Sequence, residues 1–146
     1  MEFRKNDLVT LEIEDCGIDG EGIGKADGFT VFVKDAVIGD TVTAKIIKAK
    51  KNYGYGRLME VVKPSPYRVE PKCAFARQCG GCQLQALSYD QQLEFKTNKV
   101  KGHLERIGGF TDIPMEPIIG MDELFHYRNK VHAVFDIAKG GTVISG

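Results

Sequence analysis

Hydrophobic and polar positions take turns along the first third of the chain. Leu8-Val9-Thr10-Leu11-Glu12-Ile13-Glu14 alternates with a period of two, the signature of a strand with one face buried. Phe29-Thr30-Val31-Phe32-Val33 predicts a second strand, Thr41 to Ala49 another, and Arg57 to Val62 a fourth or fifth. Between the first two lies a glycine-rich stretch, Gly17 to Gly28, that reads as a turn-rich connection. Several short strands in succession predict a small barrel, because closure removes exposed sheet edges.

The pattern then changes. Pro64-Ser65-Pro66 stops the last strand, and a cysteine segment poor in apolar residues runs from Pro71 to Gln85. One long helix is predicted from Tyr89 to about Ile107. Ser88 and Gln91 are spaced as a capping box, Tyr89, Leu93, Val100, Leu104 and Ile107 share a face, and Gly108-Gly109 ends it. Pro114 and Pro117 flank an extended connection. Lys130 to Ile137 alternates again, Gly140-Gly141 turns the chain, and Thr142-Val143-Ile144 begins a returning strand. A lone hairpin has no core, so the sequence reads as cut off inside a larger fold. The expected class is mainly β with one long helix (α+β). A barrel occupies 1–63, a cysteine segment 64–87, and the helix with the truncated start of an α/β domain 88–146.

Composition narrows the setting. A hydrophobic fraction of 42% and a charged fraction of 27% are those of a soluble globular protein. Met1 is followed by Glu2, Arg4, Lys5 and Asp7 rather than an apolar leader, and no run approaches the ~20 apolar residues of a membrane span. No membrane association and a cytoplasmic location are expected, where structural disulfides are rare. Net charge is zero, but its distribution is uneven. Lys45, Lys48, Lys50, Lys51 and Arg57 interleave with Tyr53 and Tyr55, and no carboxylate falls between Lys45 and Arg57. Such a run can be the solvated face of a hairpin. On a small barrel it can also neutralise phosphates and stack unpaired bases at ~1–3 kcal/mol each, and RNA contact is the favoured reading.

Chemistry concentrates in Cys73-x5-Cys79-Gly80-Gly81-Cys82-Gln83. Three thiols within ten residues, with paired glycines, point to ligands of a metal centre rather than to packed thiols. Zinc sites usually show two paired knuckles, whereas only Cys79-x2-Cys82 is a pair here. His103, His126 and His132 do not stand at knuckle spacing. A cubane cluster tolerates irregular spacing and often takes its last cysteine from far along the chain. A [4Fe-4S] cluster on Cys73, Cys79 and Cys82 is therefore favoured over zinc, with a fourth cysteine outside the chain. Cys16, ending a strand, is expected to pack as a small hydrophobe. Gly20-x-Gly22-x-Gly24 does not fit a nucleotide fingerprint, since a strand rather than a helix follows. Its glycines leave room for an RNA backbone to approach. No residues suggest a catalytic constellation.

Taken together, these segments resemble the RNA (uracil-5-)-methyltransferases, in particular the 23S ribosomal RNA branch carrying a TRAM domain and a [4Fe-4S] cluster. The matching pieces are Gly20-Glu21-Gly22-Ile23-Gly24, Val31-Phe32-Val33, Ile38-Gly39-Asp40, Ser65-Pro66-Tyr67-Arg68-Val69-Glu70-Pro71, Cys73, Cys79-Gly80-Gly81-Cys82-Gln83-Leu84-Gln85, Tyr89, Gln92-Leu93, Lys96 and Tyr127-Arg128-Asn129-Lys130. They follow the family's order.

The resemblance implies an OB-like TRAM barrel that binds RNA, then the cluster loop, then the start of a central domain helping to hold RNA, with Arg128 and Lys130 as further contacts. The partner is RNA, 23S rRNA first and tRNA second, and the protein is a monomer. The family's doubly wound methyltransferase domain, with its S-adenosylmethionine site and nucleophilic cysteine, is absent from these residues, so no catalytic residue is assigned and the chain alone is expected to be inactive. A reading of another class is a stand-alone RNA-binding module with a structural iron–sulfur or zinc site.

Overall fold

The computed structural model describes residues 3–145. Its first unit, Met1–Lys99, is built on five strands: β1 (Leu8–Cys16), β2 (Gly22–Ala26), β3 (Phe29–Lys34), β4 (Thr41–Ala49) and β5 (Tyr53–Lys63). They close into a barrel in the order β1-β2-β3-β5-β4, and β4 pairs back onto β1. All neighbours are antiparallel except β3 and β5, which run parallel.

The alternation read from the sequence is the alternation of the barrel wall. Val9, Leu11 and Ile13 of β1, Phe29, Val31 and Val33 of β3, and Val42, Ala44 and Ile46 of β4 fill the interior. Full burial of each large member is worth about 1.5–3 kcal/mol, so the interior side chains hold the wall together. Phe3 stacks on Phe29 at 5.2 Å between ring centres.

One strand had not been expected. β2 lies inside the glycine-rich stretch, where Gly22 and Gly24 face the barrel interior. A Cβ on Gly22 would lie 2.8 Å from the Ala36 carbonyl oxygen and 2.8 Å from Ile13 Cγ2. One on Gly24 would collide with Leu11 Cδ1 and the Glu12 carbonyl. These two glycines let the neighbouring strand β1 and Ala36 come close and are not open to an RNA backbone. The turn signal belongs one step later, at Asp27-Gly28. With φ of 50° and 79° they form the two-residue loop joining β2 to β3, as a type I′ hairpin requires.

Helix α1 (Tyr89–Arg106) stands where the pattern places it. The expected capping box does not form. The Ser88 amide donates to the Tyr67 carbonyl at 2.8 Å, and Gln91 Nε2 donates to Glu94 Oε2 at 2.9 Å. The predicted apolar face is not buried, and Val100 and Ile107 are exposed. Gly109, at φ 70°, ends the helix, and the Phe110 amide returns to the Leu104 carbonyl. The second unit, Val100–Gly146, contains the helix end, an irregular stretch and the hairpin of β6 (Phe135–Ile137) and β7 (Val143–Ser145). Both hairpin strands are exposed, and β6 is shorter than the alternation from Lys130 suggests. Among the described residues no helix is long and apolar enough to cross a membrane.

Candidate nucleic-acid interface and cysteine loop

The outer face of the barrel is shaped by what β5 puts inside. Gly54 and Gly56 point inward, where a Cβ on Gly56 would lie 3.0 Å from Ala44 Cβ and 3.1 Å from Val31 Cγ1. The intervening Tyr53, Tyr55 and Arg57 therefore point outward. Tyr53 and Tyr55 remain 39% and 41% exposed, enough ring to meet a ligand. Phe32, register partner of Tyr55 on β3, completes an aromatic cluster. Its ring centre is 5.6 Å from Tyr55 and 6.0 Å from Tyr53, and the two tyrosines are 5.9 Å apart. Phe32 is absent from the contact set read from the sequence, although the alternation of β3 already marks it as an aromatic on the outward side.

Cations surround these rings. Lys45 stands opposite Arg57 and Lys48 opposite Tyr55 across β4 and β5, while Lys34 of β3 is the other neighbour of Arg57. Lys50 and Lys51 lie at the β4–β5 connection, where the Lys50 amide donates to the Tyr53 carbonyl at 2.8 Å. The structure thus brings Lys45, Lys48, Tyr53, Tyr55 and Arg57 onto one face, with Lys50 and Lys51 at its end. Arg128 and Lys130 belong to the second unit, in an irregular exposed stretch, and the Arg128 guanidinium sits 6.0 Å from the Tyr127 ring centre.

The cysteine segment is a loop with a fastened base. Residues 67–69 run antiparallel to 86–88, through the Val69 amide to the Ala86 carbonyl at 2.9 Å, the Ser88 amide to Tyr67, and a bridge between Arg68 and Leu87. Asp40 ties this base to the barrel. Its side chain is wholly buried. Oδ2 accepts from the Val37 amide at 2.8 Å and Oδ1 from the Ser65 amide at 2.9 Å. Arg68 donates Nε to Oδ1 at 3.0 Å and Nη2 to Oδ2 at 2.5 Å, and Nη2 also reaches the Asp35 carbonyl at 2.9 Å. Burial alone would raise the Asp40 carboxyl. The Arg68 hydrogen bonds, the Ser65 and Val37 amides and the Arg68 charge outweigh it and hold the group below the usual carboxylate range. Two of the matching sequence blocks contain this pair, but nothing in either block's spacing reveals that they meet.

Cys73, Cys79 and Cys82 are all exposed and unpaired as disulfides. The Cys73 amide donates to Gln85 Oε1 at 3.3 Å, the Gly81 amide to Cys79 Sγ at 3.4 Å, and Gln83 Nε2 to the Gly80 carbonyl at 3.1 Å. Cys73 and Cys82 border a cleft of about 240 Å³. Cys79 and Cys82 border a groove of about 350 Å³ on the barrel's outer face. Cys82 is common to both. Among the described residues no three His, Cys, Asp or Glu side chains are arranged to hold a metal ion. The donor set is nonetheless right for a thiolate-bound centre: three accessible soft ligands on one short, anchored loop. Cys16 differs from them. It is buried beside its own Gly17 carbonyl, and burial pushes its thiol up to about 11, so it stays protonated and packs, as expected.

The fold and this face agree with a domain match over residues 3–59. The domain matched is the TRAM domain. Beyond the TRAM barrel, the likeness to known proteins extends over nearly the whole chain. An uncharacterized RNA methyltransferase of Halalkalibacterium halodurans is 45% identical over 139 residues, 95% of this chain and 30% of that one. Another, of Clostridium tetani, is 47% identical over 94% of this chain and 30% of that one. One of Clostridium acetobutylicum is 50% identical over 88% and 28%. These are what the chain is similar to, and it spans under a third of the length of the curated relatives it matches. Among solved structures, the Pyrococcus abyssi tRNA (uracil-54, C5)-methyltransferase in complex with S-adenosyl-L-homocysteine is 33% identical. That match covers 69% of this chain and 21% of that one at a TM-score of 0.47.

Proposed function

We propose that residues 1–146 are the RNA-recognition and [4Fe-4S]-binding part of an S-adenosylmethionine-dependent methyltransferase that makes 5-methyluridine in 23S rRNA. The observation that carries this reading is the outward face of the TRAM barrel. Phe32, Tyr53 and Tyr55 cluster there among Lys45, Lys48 and Arg57, next to a loop bearing three accessible thiols. Lysines and arginines neutralise phosphates, and the rings stack on bases that are free of a duplex. Lys50, Lys51, Arg128 and Lys130 add backbone contacts.

Cys73, Cys79 and Cys82 would hold the cluster, with a fourth cysteine from polypeptide outside residues 1–146. When bound, the cluster supplies a sulfur-anchored cross-link across the loop. The chain's own residues do the rest: Asp40 and Arg68 fix the loop base to the barrel, and Gln85 holds the Cys73 amide. Methylation at uracil C5 further requires a thiolate to add at C6, a base to remove the C5 proton, and a flipped-out uridine. Among the described residues no such set comes together; on this reading residues 1–146 serve as a cytoplasmic, monomeric RNA-binding module, and no transfer by them alone is expected.

Labelled S-adenosylmethionine tests this with the full-length protein and with residues 1–146, each given rRNA and tRNA transcripts. Transfer to rRNA by the full-length protein, with binding but no transfer by residues 1–146, is expected. Transfer by residues 1–146 would overturn the division of labour, and transfer to tRNA alone would overturn the substrate.

A further inference from the structure

We propose that the groove between the barrel's outer face and the tip of the cysteine loop is a pocket for one unpaired nucleobase of single-stranded RNA. The inference rests on the RNA reading above and deepens it. The near wall is aromatic and apolar: Phe32, Tyr55 and Ile47, the last half exposed with no interior role. The far wall is formed by Cys79, Gly80, Cys82 and Gln83, and Gln83 Nε2 donates to the Gly80 carbonyl at 3.1 Å. A volume of about 350 Å³ lies at the small end of the range for ligand pockets, roughly 300–1,000 Å³. A flat base has the apolar faces such a slot accepts.

Charge sets the orientation. Asp19, Glu21 and Asp35 border the groove against one lining cation, Lys34, and although Arg77 pairs with Asp35 at 3.6 Å, the acidic excess disfavours a phosphate in its interior. Lys45, Lys48 and Arg57 lie along the neighbouring strands outside it. The phosphodiester chain therefore runs over the cations while one base turns inward against the rings. A duplex, whose bases are stacked and paired, cannot enter. This makes the cysteine loop one wall of the RNA site and not merely its neighbour.

Cys79 and Cys73 report on occupancy separately, because Cys79 borders this groove and Cys73 borders only the other cleft. The protein prepared without iron, its loop base first confirmed by slow hydrogen exchange of the Val69 and Ser88 amides, is treated with iodoacetamide, alone and with an oligouridylate of about ten nucleotides or a duplex of equal length, and each cysteine is followed by mass spectrometry. Single-stranded RNA is expected to slow alkylation of Cys79 severalfold while Cys73 reacts as before, and the duplex is expected to protect neither. In iron-loaded protein, Phe32→Leu and Tyr55→Leu keep apolar bulk, and each is expected to weaken single-strand binding about tenfold through the lost stack. RNA bound with Cys79 unprotected, or with Cys73 and Cys79 protected alike, overturns the pocket while leaving RNA binding in place. Unchanged affinity in both leucine variants overturns it equally. No binding by the unmodified protein overturns both the pocket and the reading beneath it.

Discussion

Asp40 and Arg68 meet in a two-pronged ion pair, with Arg68 Nε 3.0 Å from Asp40 Oδ1 and Nη2 2.5 Å from Oδ2. The carboxylate is fully buried and the guanidinium only partly exposed. Through this contact the turn before β4, the end of β5 and the base of the cysteine loop share one anchor. The turn is pinned a second time from β1, since the Ile13 amide donates to the Asp40 carbonyl and the Gly39 amide to the Ile13 carbonyl, each at 2.8 Å.

Removing one partner leaves the other without compensation. Asp40→Ala strands the Val37 and Ser65 amides and the Arg68 guanidinium, and Arg68→Met leaves a buried carboxylate. Each is expected to cost about 3–5 kcal/mol in urea-unfolding experiments. The double substitution is expected to cost less than the sum of the two, because both singles break the same contact. Additive losses would show that the pair is not energetically coupled.

The same carboxylate sets a pH dependence. Its folded value lies below the ordinary value, so between the two the unfolded chain binds the proton and the folded chain does not. The stabilisation is therefore complete above the unfolded value, about 3.9, and is lost as pH falls below it toward the depressed folded value. Unfolding free energy followed from pH 7 downward is expected to show a decline below about pH 4 that is absent from Asp40→Asn. A decline of equal size in both proteins would assign the acid sensitivity elsewhere.

Glycines separate by role. Gly24→Ala drives a methyl into Leu11 and the Glu12 backbone and is expected to cost about 1–3 kcal/mol or more, as overpacking does. Gly28→Ala meets nothing within 4 Å but must hold φ 79°, and is expected to cost about 1–2 kcal/mol from conformation alone. Thermal melts of the two variants compare them directly. A greater loss at Gly28 than at Gly24 would contradict the close approach of β2 to β1.

How far the sequence reaches is clear from such positions. β1, β3 and β4 are legible because branched and bulky residues alternate with polar ones. β2 is hidden because small residues at Gly22 and Gly24 mimic a turn when the real constraint is the close approach of β1 and Ala36. The first half of β5 is hidden for the same reason, since Tyr53-Gly54-Tyr55-Gly56 reads as a basic-aromatic run until the glycines are seen to face inward. Seven of the predicted RNA-contact positions lie on or at the end of the outer barrel face, but Phe32 joins them only through the parallel pairing of β3 with β5, which no local pattern encodes. The Asp40–Arg68 pair is invisible for a related reason, being a contact across 28 positions with no periodicity to announce it. At the helix start, Gln91 has the capping spacing, but Tyr67 takes the Ser88 amide first.

The reading of the cysteine loop is tested most directly by metal and sulfide analysis of the full-length protein purified without oxygen, alongside Cys73→Ser, Cys79→Ser and Cys82→Ser. Iron and acid-labile sulfide in equal amounts, diminished by each substitution, are expected. Protein that is folded and binds RNA, yet carries zinc or no metal with all three thiols free to alkylate, would contradict it.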